Sequence, residues 1–358
     1  MKILFVLGSM TKGGAERVVA NLSNNFCSKN EVSIIVTPPD KPMYELNPKI
    51  NYYCLDEKSP KEKLITRNFR RISKLHKLLK AIKPDIILSF LPEPTYRLMI
   101  ANFFMKYKAI ISVRNDPNIE YNNFIKKMLV KLLYSRADGF VFQTVDAQKW
   151  FNTKIQRNSV IIPNPINPNF VTNPYTGTRE KSIVTVGRLV EQKNHQFLIE
   201  SFSIIHKKHP EYILKIYGDG PLKKELQTLI TKLNLSKCIF LMGEVDDVKK
   251  EIYKAGMFVL TSNYEGMPNA LMEAMAMGIP CISSNCPIGG PKFLINDGKN
   301  GYLYELNQKE ELINKIEIVI TNDMSKIITE SCKISETLNP QKINDQWMSY
   351  IEKIKKEK

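Results

Sequence analysis

Glu265 and Glu273 stand eight positions apart in "NYEGMPNALMEAMAMGIP", residues 263–280, and they are the only charges in it. A buried carboxylate is costly unless a partner compensates it. Pro268 suits the first turn of a helix and Gly278 its C-terminal end, so the sequence predicts a short helix over 268–277. Glu265 then lies on the loop before the helix, and Glu273 lies mid-helix facing apolar neighbours. Met267, Pro268, Asn269 and Ala270 open the helix, where unpaired backbone N–H groups can receive an anion. A nucleotide-sugar matches the set: sugar hydroxyls for Glu265, a diphosphate for the helix start, ribose hydroxyls for Glu273. The alternative is a structural pair that braces the helix.

Cations follow the same logic. In "VGRLVEQKNHQFL", Arg188 and Lys193 come directly after an apolar strand. Such a position reaches the crevice where α/β proteins bind ligands, and two cations there can clamp a departing diphosphate. Solvated charges at a helix start are the plain alternative. "GSMTKGGAERVV" puts Gly13 and Gly14 between a strand and a helix, a loop that admits phosphate or serves as a tight turn. It is not the G-x-G-x-x-G pattern. "YGDGPLKKELQ" carries turn chemistry whose role can be structural alone. His195 reads as a surface or supporting residue. Neither the four histidines (76, 195, 206, 209) nor the six cysteines show metal-ligand spacing, so no metal and no cofactor is expected.

Two repeats of one pattern must position these groups. "KILFVLG", "EVSIIVT", "DIILSF", "AIISV" and "GFVFQT" read as strands, several with helices between them. The alternation restarts with "KSIVTVG", "YILKIYG", "IFLMG", "MFVLTS" and "PCISS". The expectation is two α/β halves with parallel sheets. A Pro- and Asn-rich stretch near 163–180 marks the boundary. The 358 residues suit two ordinary domains. The apolar start reads as a buried strand rather than a signal peptide, since no small-residue cleavage site follows. Scattered cysteines without a C-x-x-C pair read as reduced thiols. No run approaches a membrane span.

The net charge of +16 is unevenly spread. Residues 1–170 hold 27 Lys and Arg against 13 Asp and Glu, and the rest holds 25 against 23. An anionic partner for the first half follows. The richest segment, residues 61–83, has nine cations and one acid, with Ile65, Phe69, Ile72, Leu75, Leu79 and Ile82 at helical spacing. It is expected to touch anionic lipid or a lipid diphosphate through Arg67, Arg70, Arg71 and Lys74. The alternative is a solvated basic face. No stacking motif or nucleic-acid module appears, so nucleic acid is not expected as a partner.

"EGMPNALME", "GRLVEQK", "KGGAER", "GDGPL", "MGEVDDV", "NPI" and "CPIGGP" together resemble glycosyltransferase family four, retaining enzymes of the GT-B fold. The resemblance covers essentially the whole chain, and the ordered set is far more specific than any one motif. It implies two Rossmann-like doubly wound domains facing across a cleft: 1–168 for the acceptor, 169–338 for the nucleotide-sugar, with a helix over 339–358 crossing back. It implies that Gly13 and Gly14 contact the donor diphosphate and that Arg188 and Lys193 hold it. Glu265 would bind the donor sugar, Glu273 the ribose, and the backbone near Val245 the base. Arg114 and Asn115 stand where many relatives carry a His, and an Arg cannot shuttle protons near neutral pH; they are expected to contact acceptor or phosphate. Lys292 stands where relatives often have Glu.

The implied activity is retaining transfer of a hexose or N-acetylhexosamine from a UDP-sugar to a polyprenyl-diphosphate-linked or other cell-surface glycan. It would occur at the inner face of the cell membrane, with the protein peripheral. The rivals are another GT-B enzyme, such as an epimerase or a sucrose-type synthase, and a non-catalytic basic membrane- or nucleic-acid-binding protein.

Overall fold

The computed structural model describes residues 1–11, 13–39, 41–56 and 63–357. The chain forms two compact units, Met1–Asn164 with Gln341–Lys358, and Pro165–Pro340. The division falls a few residues from the expected 168 and 338. Ile166 and Phe170 are buried in the second unit's core with Leu338, and the Ile166 N–H donates to the Leu338 carbonyl at 2.8 Å.

The first unit holds a seven-stranded sheet. Its strands are β1 (Lys2–Val6), β2 (Glu31–Val36), β3 (Asn51–Cys54), β4 (Ile86–Phe90), β5 (Ala109–Ser112), β6 (Gly139–Phe142) and β7 (Ser159–Ile161). All pairings are parallel, in the order β3-β2-β1-β4-β5-β6-β7. Side chains alternate along β1. Ile3 and Phe5 pack with Val18, Val19 and Leu22 of the Gly14–Phe26 helix and with Trp347 and Ile351 of the Pro340–Lys356 helix. Leu4 and Val6 pack with Leu75 and Leu79 of the Leu64–Ile82 helix and Leu98 of the Pro92–Ala101 helix. The tail is pinned by Tyr350, whose hydroxyl donates to the Asn158 carbonyl at 2.7 Å and accepts from the Phe140 N–H at 3.0 Å.

The second unit holds a six-stranded parallel sheet, in the order β10-β9-β8-β11-β12-β13. These are β8 (Ser182–Val186), β9 (Ile213–Tyr217), β10 (Ile239–Gly243), β11 (Met257–Leu260), β12 (Cys281–Asn285) and β13 (Tyr302–Glu305). Both sheets are doubly wound, and strand order reverses at β1/β4 and at β8/β11. Loops beyond such reversals diverge and leave room for a ligand.

The Leu64–Ile82 helix buries only part of its apolar stripe. Leu75 and Leu79 are buried, but Ile65 and Phe69 of the anticipated stripe face solvent. Arg71 grips Asp56 through Nε at 2.9 Å and through Nη2, and Arg70 Nη2 reaches the same carboxylate at 3.2 Å. These charge-assisted bonds hold the Asp56 carboxyl below its usual range. Arg70 and Arg71 are thus drawn onto a neighbouring loop end rather than left as a free cationic face. Arg67 and Lys74 are half-buried. Lys61 and Glu62 lie outside the described residues.

Candidate functional site

The loops after β8 and β11 are stitched together, because their strands are neighbours. The Gln192 carbonyl accepts the Asn263 N–H at 2.7 Å, and Gln192 Nε2 donates to the Tyr264 carbonyl at 3.0 Å. Thr261 Oγ1 donates to the carbonyls of Lys193 at 3.0 Å and Asn194 at 3.1 Å. Asn194 Nδ2 meets Asn263 Oδ1 at 3.1 Å. On this frame Lys193 Nζ lies 2.5 Å from Glu265 Oε1. The Ser262 hydroxyl donates to the same oxygen at 2.7 Å. Glu265 is only 6% exposed, so its charge is compensated by these two donors.

The helix following Glu265 runs Asn269–Ala276, one residue inside the expected limits at each end. Pro268 caps it, and Gly278 sits at φ +67 where the chain leaves it. Glu273 is 8% exposed on this helix, while Asn269 and Ala270 are half-buried at its start. The "CPIGG" loop lies against the base of this turn: the Glu265 N–H donates to the Pro287 carbonyl at 2.8 Å. Cys286 is buried there, and burial with the nearby Glu265 charge pushes its thiol up to about 12.

Arg188 is exposed at the end of β8 and makes no ion pair among the described residues. The structure therefore brings Lys193, but not Arg188, onto Glu265. His195 is buried, with Nε2 3.2 Å from the Arg188 carbonyl. Burial lowers its pKa to about 4, so the ring is neutral near pH 7 and its N–H braces the turn that carries Arg188. His195 is thus an interior support, not a surface residue. Val245 is half-buried at the margin of the core containing Met267 and Leu271. The "GDG" loop serves close packing: a Cβ on Gly218, which has φ +128, would stand 2.1 Å from the Gly187 carbonyl oxygen. Lys292 is exposed.

In the first unit, Gly13 and Gly14 open the Gly14–Phe26 helix. The Tyr44 hydroxyl donates to the Gly13 carbonyl at 2.9 Å and accepts from its N–H at 3.2 Å. A Cβ on Gly13 would stand 2.2 Å from Glu16 Oε2, so a carboxylate already lies over this turn. Arg114 follows β5, with Nη1 donating to Asn164 Oδ1 at 2.9 Å. Its guanidinium lies 5.0 Å from the Phe90 ring centre and 5.5 Å from that of Trp347. Nε and Nη2 are buried without a partner among the described residues, and burial lowers its pKa. Asn115 is half-buried beside it.

Sequence reasoning missed Ser262, Thr261, Gln192, Asn194 and Asn263, which hold the Lys193–Glu265 geometry. The contacts of Thr261, Gln192, Asn194 and Asn263 span about seventy positions, so no local spacing reveals them, while Ser262 stands three positions before Glu265. Among the described residues no three His, Cys, Asp or Glu come together as a metal set. Among the described residues no helix is long and apolar enough to cross a membrane. The arrangement in the second unit offers a buried carboxylate for hydroxyl groups, a cation beside it, and a helix N-terminus for an anion.

Two family models match, Glycosyltransferase Family 4 over residues 12–170 and Glycosyl transferases group 1 over residues 174–333. The chain is similar to the GalNAc-alpha-(1->4)-GalNAc-alpha-(1->3)-diNAcBac-PP-undecaprenol alpha-1,4-N-acetyl-D-galactosaminyltransferase of Campylobacter jejuni, 26% identical over 99% of both chains. It is also similar to that organism's N-acetylgalactosamine-N,N'-diacetylbacillosaminyl-diphospho-undecaprenol 4-alpha-N-acetylgalactosaminyltransferase, 28% identical over 90% of this chain and 91% of the relative. Among solved structures, Anabaena HepE in complex with UDP superposes with a TM-score of 0.82 at 18% identity, over 99% of this chain and 100% of the other. That likeness gives the fold, GT-B with two Rossmann-like units. With the two models between them matching nearly the whole chain, this protein belongs to glycosyltransferase family four and is a transferase.

Proposed function

We propose that this enzyme moves a hexose or N-acetylhexosamine from a UDP-sugar to a polyprenyl-diphosphate-linked glycan, with retention at the anomeric carbon. The observation that carries the reading is Glu265, buried and held by Lys193 and Ser262 immediately before a helix N-terminus. A carboxylate so placed binds sugar hydroxyls and steadies positive charge at the anomeric carbon. Lys193 and the exposed Arg188 bind the diphosphate and stabilise it as it leaves, without a required metal. Met267, Pro268, Asn269 and Ala270 form the anion-receiving turn, Glu273 takes the ribose, and the backbone at Val245 meets the base.

The bond from the anomeric carbon to the UDP oxygen breaks, and a bond to the acceptor hydroxyl forms on the same face. The acceptor proton passes to a departing phosphate oxygen. The Gly13–Gly14 turn is assigned a diphosphate contact and Arg114 with Asn115 an acceptor contact. The undecaprenyl-linked acceptors in the relatives' names and the UDP bound by the GT-B neighbour support acceptor and donor class. The +16 chain would work peripherally at an anionic inner membrane face.

The test is a panel of nucleotide-sugars read by UDP release, with and without a polyprenyl-diphosphate-linked glycan, and NMR of the product. Acceptor-stimulated UDP release with retained anomeric configuration is expected. An inverted product overturns the mechanism, and sugar-nucleotide isomerisation without transfer overturns the reaction class.

A further inference from the structure

The Phe124–Leu133 helix of the first unit has an unpartnered apolar face. Asn123 caps it, with Oδ1 accepting from the Lys126 N–H at 2.9 Å. Val130 points inward and is buried. Phe124 is 80% exposed, Ile125 65%, Met128 44% and Leu132 58%. These positions, i, i+1, i+4 and i+8, fall on one arc of a helix, and Lys127 and Lys131 border it. From Phe124 to Arg136 the sequence has three lysines, one arginine and no acid. The surface continues at the end of this segment. Arg136 stacks over Phe103 at 3.8 Å, and Phe103 meets Phe104 edge-on at 4.9 Å, both rings being exposed.

We infer that the Phe124–Leu133 helix is the membrane-docking surface, its apolar arc entering the headgroup boundary of an anionic bilayer while Lys126, Lys127, Lys131 and Arg136 bind lipid phosphates. An apolar stripe edged by lysines on a short surface helix matches that interface. A second copy of this chain fits poorly. A two-fold pairing through this face would bring each copy's lysines against the other's, with no acid on the helix to offset them. The Leu64–Ile82 helix carries more cations, but Asp56 engages two of them. This inference rests on the lipid-linked acceptor reading and names where that reading meets the bilayer.

The experiment is sedimentation with phosphatidylcholine vesicles, with and without phosphatidylglycerol, on the full chain. Phe124→Gln, Met128→Gln and Leu132→Gln combined should lower binding to the anionic vesicles by about tenfold or more. Lys126→Gln, Lys127→Gln and Lys131→Gln combined should remove most of the preference for anionic over neutral vesicles. Wild-type binding should weaken in molar salt, where the Debye length is about 3 Å. Both variants should keep the wild-type melting temperature and UDP affinity. Undiminished vesicle binding by the first variant overturns the inference. So does release by Leu64→Gln, Ile65→Gln and Phe69→Gln instead, or a dimer in solution that the first variant dissolves. Loss of vesicle binding in a protein that transfers no sugar under any donor leaves the docking surface standing and removes the acceptor reading.

Discussion

Gly290 stands directly against Gly266: a Cβ on Gly290 would lie 2.0 Å from the Gly266 carbonyl oxygen. The obstructing atom is backbone, so it cannot swing aside as a side-chain tip would. The two glycines let the "CPIGG" loop lie against the turn that carries Glu265. Gly290→Ala must push that turn outward. Overpacking of this kind costs about 1–3 kcal/mol. Thermal unfolding should show Tm lowered by roughly 5 °C, and turnover should fall because Glu265 shifts. An unchanged Tm would mean the turn yields freely.

Lys193 and Arg188 should separate on stability. Lys193→Ala strips a buried carboxylate of its cation, a change worth about 3 kcal/mol or more in a buried pair. Arg188 is exposed, so Arg188→Ala should leave Tm unchanged. Both should cut turnover on the order of a hundredfold, the usual loss when a charge-stabilising contact leaves a closed site. Calorimetry and steady-state rates on the two variants check this. Near-normal turnover in both removes the diphosphate assignment.

Glu265→Gln and Glu273→Gln should differ in kind. Glu265 is assigned to the reacting sugar, so its loss lowers kcat. Glu273 is assigned to the ribose, where contact helps ground and transition states alike, so its loss raises the donor KM. Identical kinetic profiles would make the pair a helix brace.

His195 gives the second unit a pH dependence with a definite sign. Its pKa falls from 6.5 to about 4 in the fold because burial disfavours the charged ring. Between those values the unfolded chain takes up a proton that the folded chain refuses, so stability is lost as pH falls through that window. Below about 4 the ring is charged in both states and the loss stops. The full effect is at most about 3.5 kcal/mol, since each pKa unit is worth about 1.4. Urea midpoints of wild type and His195→Gln at pH 6.5 and pH 4 should converge toward the acid end. Parallel midpoints would contradict a buried neutral ring.

Turnover should survive an excess of EDTA, because Lys193 and Arg188 are assigned the charge work at the diphosphate. Loss of activity restored by magnesium or manganese would overturn that assignment.

The strands that sequence patterning overlooked share a position. β3, β7 and β13 each lie at an edge of their sheet. They are short and only partly buried, so they lack the continuous apolar runs that made β1, β4 or β11 readable. The helix after Glu265 was legible from Pro268 and Gly278 because caps are local chemistry. The pairing of Glu265 with Lys193 was not, since it depends on β8 and β11 being neighbours, a fact of topology rather than spacing. Asp56 shows the same limit in reverse. Its capture of Arg70 and Arg71 changes what a run of cations means, and nothing within that run announces it.

The helix that closes the first unit, Pro340–Lys356, follows the whole of the second unit in sequence. Trp347, Ile351 and Ile354 cover one face of a sheet whose strands are complete by Ile161. A ribosome delivers the whole of residues 165–340 before it delivers that cover. During synthesis the second unit can therefore close on its own sequence, while the first waits with Ile3, Phe5 and Phe90 lacking the part of their cover that Trp347 and Ile351 supply. Domains commonly fold in the order they emerge. Here the unit that begins first is completed only after the second has emerged.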